Sequence, residues 1–463
     1  MEILSTCYIY SKKRLDGDIA TIVLPIGSNQ EVLKDPFGLQ ASIDHKKYSG
    51  PNRWFCHQSM RVLFIQVADM YDFFFKDKVL SIYLANMTGY MVAHLLLFFA
   101  LFLYASVLTR KLNVGALFVI ITIIPFFHGS IFSKWFMLVD NSVTYTVFYT
   151  FPLAIALLYF YPFYKSIVLK QMFWSPYHWL GWVFLAYIVA FSSPFNPVIG
   201  ILVSTGIFLH FWQENFSKQS TNEFPHRVLK SFLQIPVHYF IFLFLFSLVC
   251  LYAIYVGTFN IENVTMRLQE RYKIFFQFLP SYFISVPFLV VAFITIYALE
   301  ISVWETLLEE QRRQIKVLSF LIIIMLIYVF LIPFGGYRSY RPEILRGDIT
   351  MPLTVILVII CSTGILFSWE NLKNKPSKKY MATLLFTAFL FWSPDKFNMS
   401  NNKKQKEYLY KLSRHEGNEP LLLPKDETII SWSTFDTPEQ GYFISKFLEE
   451  RGITKGFVPF YQQ

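Results

Sequence analysis

Runs of apolar residues separated by short polar loops occupy most of the chain between residues 82 and 392. A helix that crosses a bilayer needs about 20 apolar residues, each adding about 1.5 Å. Ten runs approach or reach that length, so the pattern predicts ten transmembrane helices. They lie near residues 82–108, 114–132, 143–164, 178–190, 198–212, 237–256, 280–299, 317–334, 351–369 and 380–392.

Two regions flank the helical domain of residues 81–393. Residues 1–80 contain no run of membrane length, and their apolar start, residues 1–11, is expected to be the rest of a truncated eleventh helix. Residues 62–75 have the amphipathic pattern of a helix that lies in the membrane interface. We interpret residues 1–80 as an extracytoplasmic loop region.

The tail, residues 394–463, has the pattern of a small α/β domain. Apolar stretches at 428–432 and 453–460 predict two strands. Between them, Thr437 and Pro438 predict the start of a helix that ends at Gly452. The predicted fold is therefore an all-α polytopic membrane protein with about ten transmembrane helices and a small α/β C-terminal tail.

Composition supports this fold and narrows the partners. Hydrophobic residues make up 54% of the chain, charged residues 16%, and the mean hydropathy is +0.42, which excludes a set of soluble domains. The formal net charge is 41 − 31 = +10. Because the basic residues lie in loops between apolar runs, we expect them to contact the lipid bilayer and not nucleic acid.

Positively charged residues are concentrated in alternate loops, which predicts the orientation of the protein in the membrane. These loops should be cytoplasmic, and the other set, with residues 1–80, 335–350 and the tail, should be extracytoplasmic. The basic residues that carry this prediction are Arg110, Lys111, Lys165, Lys170, Lys218, Arg227, Lys230, Arg312, Arg313, Lys316, Lys373, Lys375, Lys378 and Lys379.

The loop at 335–348 departs from that rule, since it carries three arginines on the predicted outer side. Its charged and aromatic residues are the candidate substrate-binding residues Tyr337, Arg338, Arg341, Glu343, Arg346 and Asp348. The planar guanidinium group suits phosphate because it gives paired, charge-assisted hydrogen bonds. The alternative is a basic cap whose side chains reach outward to lipid headgroups.

Three carboxylates are predicted to lie on the same side. Asp16 and Asp18 come early in the N-terminal region, and Asp140 follows the second apolar run. A partly desolvated carboxylate at the membrane surface can act as a general base. The alternatives are a plain turn at Asp16–Gly17–Asp18 and a helix N-cap at Asp140.

The layout resembles the GT-C class of membrane glycosyltransferases, through the Asp16-Gly17-Asp18 turn, Asp140, the segment 337–348 and the outer C-terminal domain. The resemblance implies transfer of a sugar from a polyprenyl-phosphate donor to an envelope acceptor, at the outer face of a bacterial inner membrane. It implies Asp16 or Asp18 as the base and the arginines as stabilisers of the departing phosphate. Asp140 would position the acceptor or bind a divalent cation, and no other cofactor is implied.

A second resemblance matches more of the sequence pattern than the first, but it implies no particular activity. Gly17-Asp18, residues 35–38 and 51–55, and the Tyr-Arg and Arg-Gly-Asp elements of the loop resemble uncharacterised bacterial inner-membrane proteins. The WWDxG-type signature of oligosaccharyl transferases is absent from the sequence. Transfer to protein asparagine is therefore not implied.

Other function classes fit the same layout. A surface-polysaccharide polymerase or ligase would need the arginines but no carboxylate base. A transporter or flippase of a lipid-linked anionic substrate usually shows internal repeats and charged residues within its spans, and this chain shows neither clearly. A structural partner in an envelope assembly would use the tail for docking.

Overall fold

The chain is mostly helical in the computed structural model. The structure describes residues 2–109, 114–128, 134–171, 179–219, 224–301, 307–371, 382, 384–391, 401–417 and 419–463. The basic residues Arg110, Lys111, Lys373, Lys375, Lys378 and Lys379 lie outside the described residues, and the orientation in the membrane stays a prediction.

Five helices within the described residues are long and apolar enough to cross a membrane. Their bounds are Lys78–Ala105, Val143–Leu169, Val237–Gly257, Glu309–Phe334 and Gly347–Glu370. A bent pair, Leu268–Phe283 and Pro287–Tyr297, forms a sixth span if its 57° bend is counted as one crossing. The prediction that the chain contains several helices of membrane-spanning length and hydropathy is confirmed.

The structure does not establish the predicted count of ten. The run at 114–132 gives the shorter helix Val114–Phe127, whose last turn is 3₁₀ around Pro125, and the run at 178–190 gives Leu180–Ala190. The helix Asn196–Lys218 is long, but its last turns contain the polar sequence Gln213-Glu214-Asn215. The run at 380–392 lies partly outside the described residues.

The helix Gly347–Glu370 is the centre of the bundle. It is the most buried of the five and packs against Lys78–Ala105, Val114–Ile123, Val286–Ile301 and Glu309–Leu331. A helix surrounded on all sides has to be apolar on all sides, as this one is. Its N-terminus, at Gly347, lies at the end of the loop 335–348 that carries the three arginines, which we call the arginine loop.

Some α-helices of the bundle are parts of these spans, and others lie between them. Phe151–Leu169 is the α-helical part of the span Val143–Leu169, and Leu268–Phe283 is the first half of the bent pair. Trp179–Ala190 and Phe224–Leu233 lie between spans. The span Val143–Leu169 begins with Val143–Tyr145 and a π-helical turn, Thr146–Thr150. Such π-turns are frequent at functional sites.

The N-terminal region consists of short helices. Most pack into the same hydrophobic core as the spans, while Val32, Ala41 and Tyr48 form a small separate core. Residues 54–75 are continuously helical, so the helix predicted at 62–75 is found. Its three consecutive phenylalanines, Phe73–Phe75, are exposed, whereas Phe64 is buried. The helices of this region are Glu2–Ser11, Ile19–Val23, Gly27–Gln30, Glu31–Lys34, Leu39–Asp44, Trp54–Arg61, Val62–Val67 and Ala68–Phe75.

The tail forms a small α/β unit, but not with the predicted strands. Its elements are the helix Lys403–Arg414, the strand Leu421–Leu423, the helix Tyr442–Glu450 and the strand Phe460–Gln462. The strands pair in parallel, with Leu421 opposite Phe460. The strand predicted at 428–432 is wrong, because Ile430 adopts a left-handed φ of 48° and the chain turns there. The apolar pattern that predicted this strand comes from Ile429 and Ile430, which are both buried although the chain turns there.

The tail is attached to the N-terminal region close to Asp16. The side-chain oxygen of Gln405 accepts from the Leu15 backbone at 2.8 Å and from the Tyr83 hydroxyl at 2.7 Å. Arg14 forms an ion pair with Glu427 at 3.0 Å. These contacts bring a segment from the end of the chain to the Asp16–Asp18 turn.

Candidate functional site

Asp16 is buried and holds the start of a membrane-length helix. Its Oδ2 accepts from the Ser142 hydroxyl at 2.6 Å and from the Thr144 backbone at 2.9 Å. Its Oδ1 accepts from the Thr144 hydroxyl at 2.9 Å and from the Asp18 backbone at 3.0 Å. A carboxylate at a helix N-terminus accepts hydrogen bonds from backbone N–H groups that have no partner within the helix. Its negative charge also interacts favourably with the positive end of the helix dipole. Both oxygens of Asp16 are thus engaged by protein donors.

Asp18 points to the tail. Its Oδ1 accepts from the indole Nε1–H of Trp432 at 3.0 Å. Burial raises the pKa of Asp18, the hydrogen bond from Trp432 opposes the rise, and the nearby charge of Asp16 adds to it. Asp18 also senses the positive charge of Arg341, so the turn and the arginine loop lie in one electrostatic environment.

Gly17 allows this contact because it has no side chain. A Cβ at Gly17 would lie 2.5 Å from Cδ1 of Trp432 and 2.5 Å from its backbone nitrogen. Those distances are too short for any side chain, so the tail segment would have to move.

We expect Gly17→Ala to displace Trp432 from Asp18. The measurement is protease cleavage of the tail in the folded, detergent-solubilised protein, which should become faster. Gly456→Ala is the matched control, since its Cβ would meet nothing within 4 Å. Equal cleavage rates for the two variants would contradict the contact.

The three predicted arginines turn inward. The side chains of Arg338, Arg341 and Arg346 are 14%, 16% and 23% exposed. A side chain that reaches out to lipid headgroups would be mostly exposed, so the geometry does not fit the basic-cap interpretation.

Each of the three arginines has an acidic partner. Arg338 pairs with Glu262 at 2.7 Å. Arg346 pairs with Asp348 through two contacts, of 3.1 and 3.3 Å, and Arg341 lies 3.7 Å from the same carboxylate. Arg341 is the least compensated of the three, because burial and the charge of Arg346 lower its pKa. We call Arg338, Arg341 and Arg346, together with Arg53 described next, the arginine cluster.

Arg53 belongs to this group, although it is not among the predicted site residues. Burial and the positive charge of Arg338 lower its pKa. The N–H of its buried Nε atom donates no hydrogen bond within the described part of the chain. The loop was singled out because it carries arginines on the predicted outer side of the membrane. Arg53 lies on the same predicted side, so the same criterion could have identified it.

Aromatic side chains line the arginine cluster. The Arg341 guanidinium lies 4.5 Å from the ring centroid of Tyr145, which is cation–π range. Tyr145 is in turn stacked with Trp432, at 5.8 Å and 15°. The charges of Asp348, Arg53, Arg346 and Arg338 all act on the phenol of Tyr149. Three arginines and Asp348 therefore act on Tyr149, and the fourth arginine, Arg341, packs on Tyr145.

Asp140 is half-buried, and the charge of Asp348, the partner of Arg341 and Arg346, acts on it. Its Oδ1 accepts from the Ser142 backbone at 2.7 Å, and its Oδ2 accepts no hydrogen bond from the residues that the structure describes. Burial raises the pKa of Asp140 to about 7; the Ser142 hydrogen bond opposes the rise, and the charge of Asp348 adds to it. The backbone of Gly347 donates to the carbonyl of Lys134 at 3.0 Å, which joins the two segments.

The N-cap alternative for Asp140 is wrong. Ser142 caps the helix, since its hydroxyl accepts from the Tyr145 backbone at 3.2 Å. Asp140 instead closes a turn just before the cap.

Two predicted site residues, Glu343 and Tyr337, direct their side chains away from the arginine cluster, although the backbone carbonyl of Glu343 accepts from Arg346 at 3.4 Å. The carboxylate of Glu343 pairs with the exposed Lys134 at 3.0 Å. Tyr337 uses its backbone carbonyl to accept from Val264 at 2.8 Å, and its ring packs against the core. The predicted set therefore divides into an inward-facing group and these two.

A metal site is not evident around Asp140. No group of three or more His, Cys, Asp or Glu side chains that could hold a metal ion occurs among the residues the structure describes. The predicted alternative, that Asp140 positions an acceptor, needs no further ligand.

The chain was compared with protein-family models, curated proteins and solved structures, and none of the three comparisons finds a match.

Proposed function

We propose that this protein is a GT-C-like membrane glycosyltransferase, which moves a sugar from a polyprenyl-phosphate donor to an envelope acceptor on the extracytoplasmic face. One observation carries the proposal: Asp348 contacts Arg341 and Arg346 and its charge also acts on Asp140, while the charge of Arg341 acts on Asp18. The arginine cluster and the two carboxylates Asp18 and Asp140 therefore form one polar layer near the N-termini of two membrane-length helices, Val143–Leu169 and Gly347–Glu370. That layer offers cations for a phosphate and carboxylates for a proton at the edge of the apolar bundle.

The donor phosphate is assigned to the arginine cluster. Arg53 and Arg341 are the two members whose charge is least compensated, and an anion between them would relieve their mutual repulsion. As the bond between the anomeric carbon and the phosphate oxygen breaks, negative charge grows on the phosphate, and fixed guanidinium groups stabilise it. The polyprenyl chain would lie along the apolar helices.

The general base is assigned to Asp140. A base works best with a pKa near the working pH, and the pKa of Asp140 is about 7. It takes the proton of the acceptor hydroxyl as the oxygen attacks the anomeric carbon. Asp16 suits this task less, because both of its oxygens already accept hydrogen bonds from the protein. Asp18 would help to orient the acceptor.

The first test is binding of polyprenyl phosphate to the protein in lipid nanodiscs, measured by native mass spectrometry. Arg341→Ala should weaken binding by about 10- to 100-fold, as expected for losing a hydrogen bond to a charged group. Arg267→Ala is the matched control, because Arg267 is an exposed arginine at the start of the helix Leu268–Phe283. In the binding test, equal binding by Arg341→Ala and the wild-type protein would contradict the phosphate site.

The second test is transfer of a labelled sugar from a polyprenyl-phosphate donor. Loss of transfer in Arg341→Ala, with full transfer in both Asp18→Asn and Asp140→Asn, would favour a polymerase or ligase that needs no carboxylate base.

A further inference from the structure

Trp432 is an exposed aromatic residue that is held rigidly at the edge of the arginine cluster. The residue is 58% exposed. Its Nε1–H is bonded to Asp18, and its ring is stacked on Tyr145. A ring that is fixed on one side and open on the other is a surface prepared for a flat apolar partner.

The backbone before Trp432 is also arranged to present it. Ile430 has a φ of 48°, a conformation that is strained for a β-branched residue. Ile429 and Ile430 are fully buried and hold that conformation in place. Strain of about 1–3 kcal/mol persists only where surrounding packing fixes it, and such positions concentrate at ligand sites.

We infer that the tail supplies Trp432 as a stacking platform for the pyranose ring of a sugar. This inference rests on the proposed function and adds to it the residue that would hold the sugar. The C–H groups on one face of a pyranose give it an apolar surface, which packs on an indole. Its hydroxyl groups point outward around that surface and would meet Asp18 and Arg341, both within reach of the same aromatic stack.

Anchoring in the membrane interface is the competing explanation for an exposed tryptophan. Two observations argue against it. An interfacial indole turns its N–H to headgroups or water, whereas the Nε1–H of Trp432 donates to the carboxylate of Asp18. The neighbours Ser431 and Ser433 are polar, so this part of the tail has no apolar surface to insert beyond the indole itself.

The test compares the fluorescence of the wild-type protein and Trp432→Phe in nanodiscs, so that the difference reports on this one indole. The probes are methyl pyranosides of glucose, galactose, mannose and N-acetylglucosamine, and separately a brominated phosphatidylcholine. We expect at least one pyranoside to change the difference signal in a saturable way and the brominated lipid to leave it unchanged. Quenching by the lipid, or no response to any pyranoside, would overturn the inference.

Transfer kinetics give a second readout. Trp432→Ala should raise KM about tenfold with a smaller change in kcat, and Trp432→Phe, which keeps an aromatic ring, should recover most of the loss. Phe443→Ala is the control, since it removes another exposed aromatic side chain from the same unit. Equal KM values for Trp432→Ala and wild type would also overturn the inference.

These two measurements separate this inference from the proposed function. The fluorescence change needs no catalysis, so it can succeed in a protein that transfers nothing. Conversely, transfer that proceeds without a response of Trp432 would leave the glycosyltransferase proposal standing and remove only the platform.

Discussion

Asp16→Ala is expected to destabilise the folded protein by at least about 3 kcal/mol, because it leaves several buried donors without an acceptor. The hydroxyls of Ser142 and Thr144 and the backbone N–H of Thr144 all donate to this carboxylate. These contacts join the N-terminal region to the first turn of the span Val143–Leu169, so their loss should destabilise both segments. The midpoint of thermal unfolding in detergent is the measurement.

Two further variants show whether the carboxylate itself is needed. Asp44→Ala removes an exposed carboxylate from the same region and should leave the midpoint unchanged. Asp16→Asn should fall between the two, since its amide oxygen can still accept but its NH₂ group meets donors. If Asp16→Ala unfolds at the same temperature as Asp44→Ala, the anchoring role is wrong.

This structural role explains why sequence alone could not assign Asp16. The residues Asp16-Gly17-Asp18 read as a turn or as a pair of catalytic carboxylates, and both interpretations use only local sequence. The donors that engage Asp16 come from Ser142 and Thr144, far along the chain, and no local pattern predicts that contact. The turn is real, since the Asp18 backbone donates to Asp16, but the turn is only part of what Asp16 does.

The arginine loop was easier to find than its surroundings. Charged residues between two membrane-length apolar runs stand out in any sequence, and the helices at both ends, Glu309–Phe334 and Gly347–Glu370, are present. The contacts that turn the arginines inward are not local. Arg338 pairs with Glu262 and Arg341 packs on Tyr145, and both partners come from other parts of the chain.

The number of spans shows a different limit of sequence patterns. Hydropathy measures how apolar a run is, but a run becomes a span only if its helix continues. Pro125 lies in a 3₁₀ turn where the helix that starts at Val114 ends, because proline has no N–H to continue the ladder. In the tail, two buried isoleucines next to a left-handed residue gave a false strand.

Asp140→Asn is expected to reduce the rate of sugar transfer by about 10²- to 10⁴-fold, the usual contribution of a general base. The pH dependence of the wild-type enzyme should show the same group. A base must be ionised to accept a proton, so kcat/KM should rise with pH through about 7, where Asp140 titrates. Asp140→Asn should lose this rise along with most of the rate.

A substitution at Lys13 should shift that pH profile while leaving Asp140 itself unchanged. Its positive charge lowers the pKa of Asp140, so Lys13→Gln should raise the pKa and shift the rise in kcat/KM to higher pH. Lys12→Gln removes the same charge one residue away and should leave the profile in place. A profile that stays fixed in Lys13→Gln, or a wild-type rate that does not change with pH through 7, would show that another group supplies the base. Asp18, whose pKa is also raised by burial and which lies beside Arg341, would then be the carboxylate to test.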